Sequence, residues 1–362
     1  MVRGRLLLGL AGAVCAVLVA GSAAGGSRPI GDTKVFVRIP EPGMPEGIAV
    51  DRGLVYVGTH TSASGNSGEG PSRIFVHRLD GGRRVQQITV KGQSTDETHG
   101  LLAMAFDGDG RLYVLDRNPA RLLRFDLSGA RPRQTTYATF PDLAPCSTSD
   151  PPCSPTTIDS AAFADFLAFD RTGNAYVTDL EQATVFRVPP GGGKAEVWFS
   201  DPRLDSVFGP NGIAFGPDGN LYFAMTGSTQ PTEPGQGLIY RIPPKDKPKP
   251  EDLEVFFMYV EPAAGPDGIA FGESGKLYVA LAGANQVSIL GPDGTEELRF
   301  PSQIENQQQE IPYDLPASIA FDGRGSLLVT NQSYFTGNED HWAVLDAWVN
   351  DTALPLIRPH IP

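Results

Sequence analysis

Residues 209–223 read GPNGIAFGPDGNLYF and residues 265–279 read GPDGIAFGESGKLYV, the same strand, turn and strand repeated after 56 residues. In both, a short apolar run ends at a Gly-containing turn and a second β-rich run follows, which predicts a tight hairpin. The unit recurs as EGIAV (46–50), LAMAF (102–106), DFLAF (165–169), NGIAF (211–215), DGIAF (267–271) and ASIAF (317–321). Counted at the central alanine, the steps are 56, 63, 46, 56 and 50 residues. Most units carry further strands, such as RIFVHRL with VQQITV and LIYRIP with EVFFMY. Four strands in about fifty residues, six times over, predict an all-β fold, a six-bladed β-propeller spanning residues 33–350.

The ends of the chain fit a closed ring. After ASIAF and SLLVTN the last unit offers one further strand, AVLDAWV (343–349), whereas TKVFVRI (33–39) precedes the first unit and belongs to no hairpin. An N-terminal strand therefore completes the last blade and removes the open sheet edge. Residues 351–362 are left as a C-terminal tail.

Composition narrows the function classes. A chain of 362 residues with 40% hydrophobic content buries a large core, and 42 glycines and 32 prolines speak against a helical bundle. The formal charge of −13, without a basic stripe, argues against nucleic acid as a partner. Residues 1–26 carry two arginines, an apolar run from Leu6 to Ala20 and small residues at Ala23 and Ala24, the pattern of a secretory signal peptide. A stable membrane anchor is disfavoured, because about 15 apolar residues are short for a hydrocarbon layer of roughly 30 Å. The expected location is secreted or otherwise extracytoplasmic. Cys146 and Cys153 are then an even pair in an exported chain, placed to form one disulfide.

In a propeller the first strand of each blade lines the central channel, so the residues that begin these strands converge at one mouth. They are Glu46, Leu102, Asp165, Asn211, Asp267 and Ala317. Crowded carboxylates raise one another's pKa and oppose folding unless a positive charge sits among them. Glu46, Asp165, Asn211 and Asp267 are thus candidate ligands of a cation. An all-oxygen set favours Ca²⁺, with Mg²⁺, Mn²⁺ or Zn²⁺ as alternatives. Asn-Gly and Asp-Gly are also ordinary turn dipeptides, but each unit already has its hairpin turn six residues later.

The six units, PEGIAVD at the start and the pair PNGIAF and PDGIAF resemble the SMP-30/gluconolactonase/LRE-like proteins, six-bladed propellers that include divalent-metal-dependent lactonases. The resemblance implies a metal held by Glu46, Asn211 and Asp267, which match the family's Glu-Gly, Asn-Gly and Asp-Gly motifs in order. It also places Asp165 where the family commonly has Asn, and Phe163 where sugar-lactone members carry Arg. A more apolar lactone or ester is therefore an expected small-molecule substrate. The implied chemistry is hydrolysis, with the metal polarising the carbonyl and a carboxylate taking the proton from water. Asp267 is the first candidate for that base and Asp165 the second.

Second strands return to the mouth, which places Thr59-His60, Thr178-Asp179, Thr226 and Asn331-Gln332 at or near the pocket. His99 and the stretch 141–163, with the cysteine pair and Phe163, lie on connections at the same face. His60, His99, Phe163, Thr226 and Asn331 are the candidate pocket residues, the two histidines being alternative proton carriers. Stretch 141–163 is either a lid or a loop stapled for stability. Two rival functions stand beside hydrolysis: a non-catalytic binding module with a structural Ca²⁺, and a quinoprotein sugar dehydrogenase.

Overall fold

The structure, a computed structural model, describes Met1, residues 28–61 and residues 70–362. The apolar run of the expected signal peptide lies outside the described residues. Among the described residues no helix is long and apolar enough to cross a membrane.

Six antiparallel sheets form the blades of a β-propeller. Their innermost strands are Pro45–Asp51, Leu101–Phe106, Ala164–Phe169, Pro210–Phe215, Pro266–Phe271 and Pro316–Phe321. Each lies against the next, and the sixth against the first, so the ring is closed. The outermost strand of the sixth blade is Thr33–Arg38, paired antiparallel with Ala343–Trp348 as the ends of the sequence predict. One pairing is not foreshadowed by the repeat: Gly193–Lys194 runs parallel to Arg133–Thr139, so that blade 2 gains a short fifth strand from blade 3. Three consecutive positive-φ glycines, Gly191 to Gly193, let the chain lean that way.

The aromatic residues of the repeat join neighbouring blades. The Tyr of each second strand meets, edge to face, the Phe that ends the next inner strand: Tyr56 with Phe106, Tyr113 with Phe169, Tyr176 with Phe215, Tyr222 with Phe271 and Tyr278 with Phe321. Centroid separations run from 5.0 to 5.8 Å. Each such pair contributes about 1 kcal/mol beyond its burial. At the closing joint the sequence changes both partners together, and Leu328 and Val50 share a hydrophobic cluster with Phe75 and Trp342.

The inner strands share a second feature. Every one has a register shift against its neighbour, between Pro45 and Ile48 in blade 1 and at the equivalent place in blades 2 to 6. Such a bulge bends the strand and re-aims its side chains. It falls where Glu46, Asp165, Asn211 and Asp267 stand. The glycines that follow three of them are not turn residues: a Cβ at Gly47, Gly212 or Gly268 would overlap the carbonyl of Leu102, Asp267 or Ala317 in the next blade. Close approach of adjacent inner strands therefore sets the Glu-Gly, Asn-Gly and Asp-Gly pairs.

Residues 351–362 are more than a tail. Leu354 N donates to Phe271 O at 2.8 Å, Arg358 pairs with Asp51, and Gly108 N donates to Pro359 O at 2.8 Å. Ile361 enters the core beside Gly173. The segment straps the hairpin turns of blades 5, 1, 2 and 3 on the face opposite the bulges.

Candidate functional site

The bulges open onto a cavity of about 550 Å³ lined by two tiers of equivalent positions. The first tier comes from the inner strands: Glu46, Leu102, Asp165, Asn211 and Asp267 line the cavity. The second lies four residues after the Tyr, or Leu328, of each second strand: His60, Arg117, Leu180, Thr226, Ala282 and Gln332. Above them, Phe163, Val207, Phe208, Tyr334 and Phe335 form an apolar wall. Val207, Phe208 and Phe335 are exposed at the rim, and the rings of Phe208 and Phe335 meet at 6.3 Å.

The polar floor is electrostatically costly. Glu46, Asp165, Asn211 and Asp267 are all buried. Burial, then the charges of Asp267 and Asp165, hold the Glu46 carboxyl well above its ordinary range, although Arg117 and the amide of Gln332 oppose the shift. Asp165 is raised well above its usual value by burial and by Asp267, against the pull of Arg117. Burial pushes Asp267 up to about 7, against a hydrogen bond from the Gly268 backbone. Groups that give up charge when packed together are a mark of functional sites.

The orientation of Asn211 is fixed. Its Nδ2 donates to Thr226 Oγ1 at 3.0 Å, and that hydroxyl donates to Pro266 O at 2.9 Å. The other end, Asn211 Oδ1, is buried and has no hydrogen-bond partner among the described residues, and neither has Asp267 Oδ1. An unpartnered buried acceptor costs about 1–3 kcal/mol, so two in one cavity beside two more carboxylates fit a hard cation. No group of three or more His, Cys, Asp or Glu side chains able to hold a metal ion by themselves is found among the described residues. An ion here would draw on the Asn211 carboxamide and on water as well.

Threonines of the second strands brace the bulged backbone from behind. Thr178 Oγ1 donates to Asn211 O at 2.7 Å, and Thr330 Oγ1 to Glu46 O at 2.8 Å. Asp179 accepts from the backbone N–H of Phe163 and Gln182, both at 2.9 Å, and burial raises it to about 6.

Of the expected pocket residues, His60, Phe163 and Thr226 line the cavity and two do not. Asn331 is one step out of phase, since alternate strand residues face opposite sides; its carboxamide instead joins Asp314 N, Pro312 O and His341 O. His99 is buried between loops, its ring bonded to Glu97 O at 2.7 Å and Gly70 O at 2.9 Å. Neither is placed to carry a proton to a ligand in this cavity. Burial and the Arg117 charge hold His60 well below the ordinary histidine range, so it is neutral. Cys146 and Cys153 form a disulfide. Its loop packs on blade 3, where Ser154 Oγ donates to Gln182 O at 3.0 Å. Within 141–163 Phe163 alone lines the cavity.

Arg117 was missed from the sequence. Counting four residues on from each second-strand Tyr, as the equivalence of Tyr56 and Tyr113 allows, finds it opposite His60. Its guanidinium lies over the Phe163 ring, 4.0 Å from the centroid, and Nη1 is 3.2 Å from His60 Nε2.

Residues 200–333 match the family model described as the SMP-30/Gluconolactonase/LRE-like region, so the resemblance read from the repeats is shown over that stretch. It takes in Asn211, Thr226, Asp267 and Gln332, and not Glu46, Arg117 or Asp165. No curated protein matches the chain by sequence. Among solved structures, a calcium-binding regucalcin from Agrobacterium tumefaciens is 18% identical, covers 90% of this chain and 96% of its own, with a TM-score of 0.60. A catalytically inactive virginiamycin B lyase from Staphylococcus aureus with quinupristin is also 18% identical, with coverage of 88% and 99% and a TM-score of 0.56. A PQQ-bound aldose sugar dehydrogenase from Streptomyces coelicolor is 15% identical, with coverage of 88% and 98% and a TM-score of 0.59. At these identities the likeness is one of fold.

Proposed function

From the family match over residues 200–333, we propose that this chain is an exported, divalent-metal-dependent hydrolase of lactones or related esters with apolar substituents. The observation that carries the reading is the pair of unpartnered buried oxygens, Asn211 Oδ1 and Asp267 Oδ1, in a floor of carboxylates below an apolar wall. Export is supported by the Cys146–Cys153 disulfide.

Glu46, Asn211 and Asp267 would hold the cation, with Asp165 as a further carboxylate. When bound, Ca²⁺, or Mg²⁺, Mn²⁺ or Zn²⁺ in its place, supplies positive charge that polarises the substrate carbonyl and stabilises the oxygen as it becomes negative. Thr226 keeps the carboxamide oxygen of Asn211 turned into the cavity. The apolar wall of Phe163, Phe208 and Phe335 receives the substituent and excludes bulk water from the acyl carbon. Asp267, a buried carboxylate of the cavity floor, is the first choice of base. It takes the proton from the attacking water as the new C–O bond forms, and returns it to the departing alkoxide oxygen as the ester C–O bond breaks. Asp165 is the second choice for this base.

A panel of lactones and aryl esters, assayed with and without chelator and with product masses recorded, tests the reading. Hydrolysis adds one water to the product and stops with chelator. Cleavage without added water indicates a lyase, turnover only with quinone and an electron acceptor a dehydrogenase, and metal-dependent stability without turnover a binding module. Any of these overturns the proposal.

A further inference from the structure

We propose that Arg117 is the specificity-determining residue of this cavity and holds a carboxylate carried by the substrate, so that lactones or esters with a free acid group beside an apolar body are preferred. The inference rests on the hydrolase reading and names the substrate class for the same site. Arg117 is the one lysine or arginine that lines the cavity. Carboxylates surround it: Glu46, Asp165 and Glu181 line the same space, and each is pulled downward by its charge. A guanidinium so placed ordinarily closes a bidentate ion pair with one of them. Yet none of its nitrogens lies within 4.0 Å of a carboxylate among the described residues, although nineteen other Arg or Lys pairs with a carboxylate do.

The clamp explains the separation. The planar group stacks on Phe163 at 4.0 Å, where cation–π attraction fixes its plane. His60, kept neutral by burial, accepts from Nη1 through Nε2 at 3.2 Å, so its proton is on Nδ1. Arg117 Nε and Nη2 make no hydrogen bond to any described residue. They form a positioned donor fork between the carboxylate floor and the apolar upper wall of the cavity. A planar oxyanion suits that fork, and in a substrate the corresponding group is a carboxylate remote from the scissile carbonyl.

The test compares kcat/KM for a lactone bearing a side-chain carboxylate with that for its primary-amide isostere, in the wild type, Arg117→Gln and Arg117→Lys. Binding of 4-phenylbutyrate and 4-phenylbutanamide to the Ca²⁺-loaded proteins is measured by calorimetry alongside. The wild type is expected to prefer the carboxylated member of each pair about 30-fold, the range of a charge-assisted hydrogen-bonded pair. Arg117→Gln brings both ratios close to one, and Arg117→Lys, which keeps the charge and loses the fork, recovers part of them. Ratios are read because damage to the fold lowers both members alike. A wild type without preference, or a preference that survives both substitutions, overturns the proposal. If no lactone is turned over, the hydrolase reading fails, and the calorimetric ratio still decides whether Arg117 holds a carboxylate.

Discussion

Replacing Asp267 with Asn is predicted to raise stability in the absence of the cation and to lose that advantage in its presence. In the metal-free protein the Asp267 carboxyl is raised from its ordinary 3.8 to about 7, chiefly by burial. The native state therefore binds its proton more tightly than the unfolded chain, and stability present below about pH 3.8 is lost as pH rises to about 7. At about 1.4 kcal/mol per pH unit the loss is about 4 kcal/mol by pH 8. Asn cannot ionise and keeps nearly the same shape. Asp267→Asn should match the wild type near pH 3.5 and exceed it by up to about 4 kcal/mol at pH 8 in chelator. With an unfolding entropy of about 2.1 cal/mol/K per residue, that is a rise of about 5 °C in Tm for a chain of this size. If the proposed site holds Ca²⁺, the ion at a thousand times its Kd should stabilise the wild type by about 4 kcal/mol, and Asp267→Asn should respond far less. The assay is thermal unfolding from pH 3.5 to 8, in chelator and in Ca²⁺. A variant less stable than the wild type in chelator at pH 8, or a difference that does not change with pH, refutes the reasoning.

Other substitutions probe the framework. Thr226→Val releases Asn211 Nδ2 and should weaken Ca²⁺ binding about tenfold by calorimetry, as loss of a ligand's orienting partner commonly does. Gly212→Ala forces a methyl against Asp267 O and should destabilise by about 1–3 kcal/mol in urea unfolding, while Gly219→Ala, which meets nothing but has φ of 81°, should cost less than that. A double-mutant cycle of Tyr278→Leu and Phe321→Leu should return a coupling of about 1 kcal/mol. Deleting residues 353–362 should lower Tm and expose Ile361's neighbours to hydrogen exchange, because the strap joins four blades.

The sequence made the fold legible because one strand-turn-strand unit recurs with its aromatic pair intact. Even the closing joint is written there, in Val50 and Leu328 in place of Phe and Tyr. The floor of the site was legible for the same reason: a residue at the start of each inner strand has five equivalents, and their polarity breaks the repeat. The upper tier was read less well. Asn331 and His60 look alike as polar residues at strand ends, but strand alternation separates them by one step, and only alignment on Tyr56 and Leu328 shows which side each takes. Arg117 was hidden by the same ambiguity, next to Asp116, which is buried against Gln93 and Arg121 and does not line the cavity. Nothing local marked Val207, Phe208 or Phe335, since the connections that carry them obey no repeat. The Asn-Gly and Asp-Gly pairs were recognisable as special, but their cause, contact between adjacent inner strands, is tertiary.

The cation at the axis is the claim on which the chemistry turns, and anomalous scattering from a crystal soaked in Mn²⁺ tests it most directly. A single strong peak within coordination distance of Glu46, Asn211 Oδ1 and Asp267 Oδ1, absent in Asn211→Ala, is the predicted result. A crystal with no peak there, or with one bound elsewhere and untouched by Asn211→Ala, would contradict it.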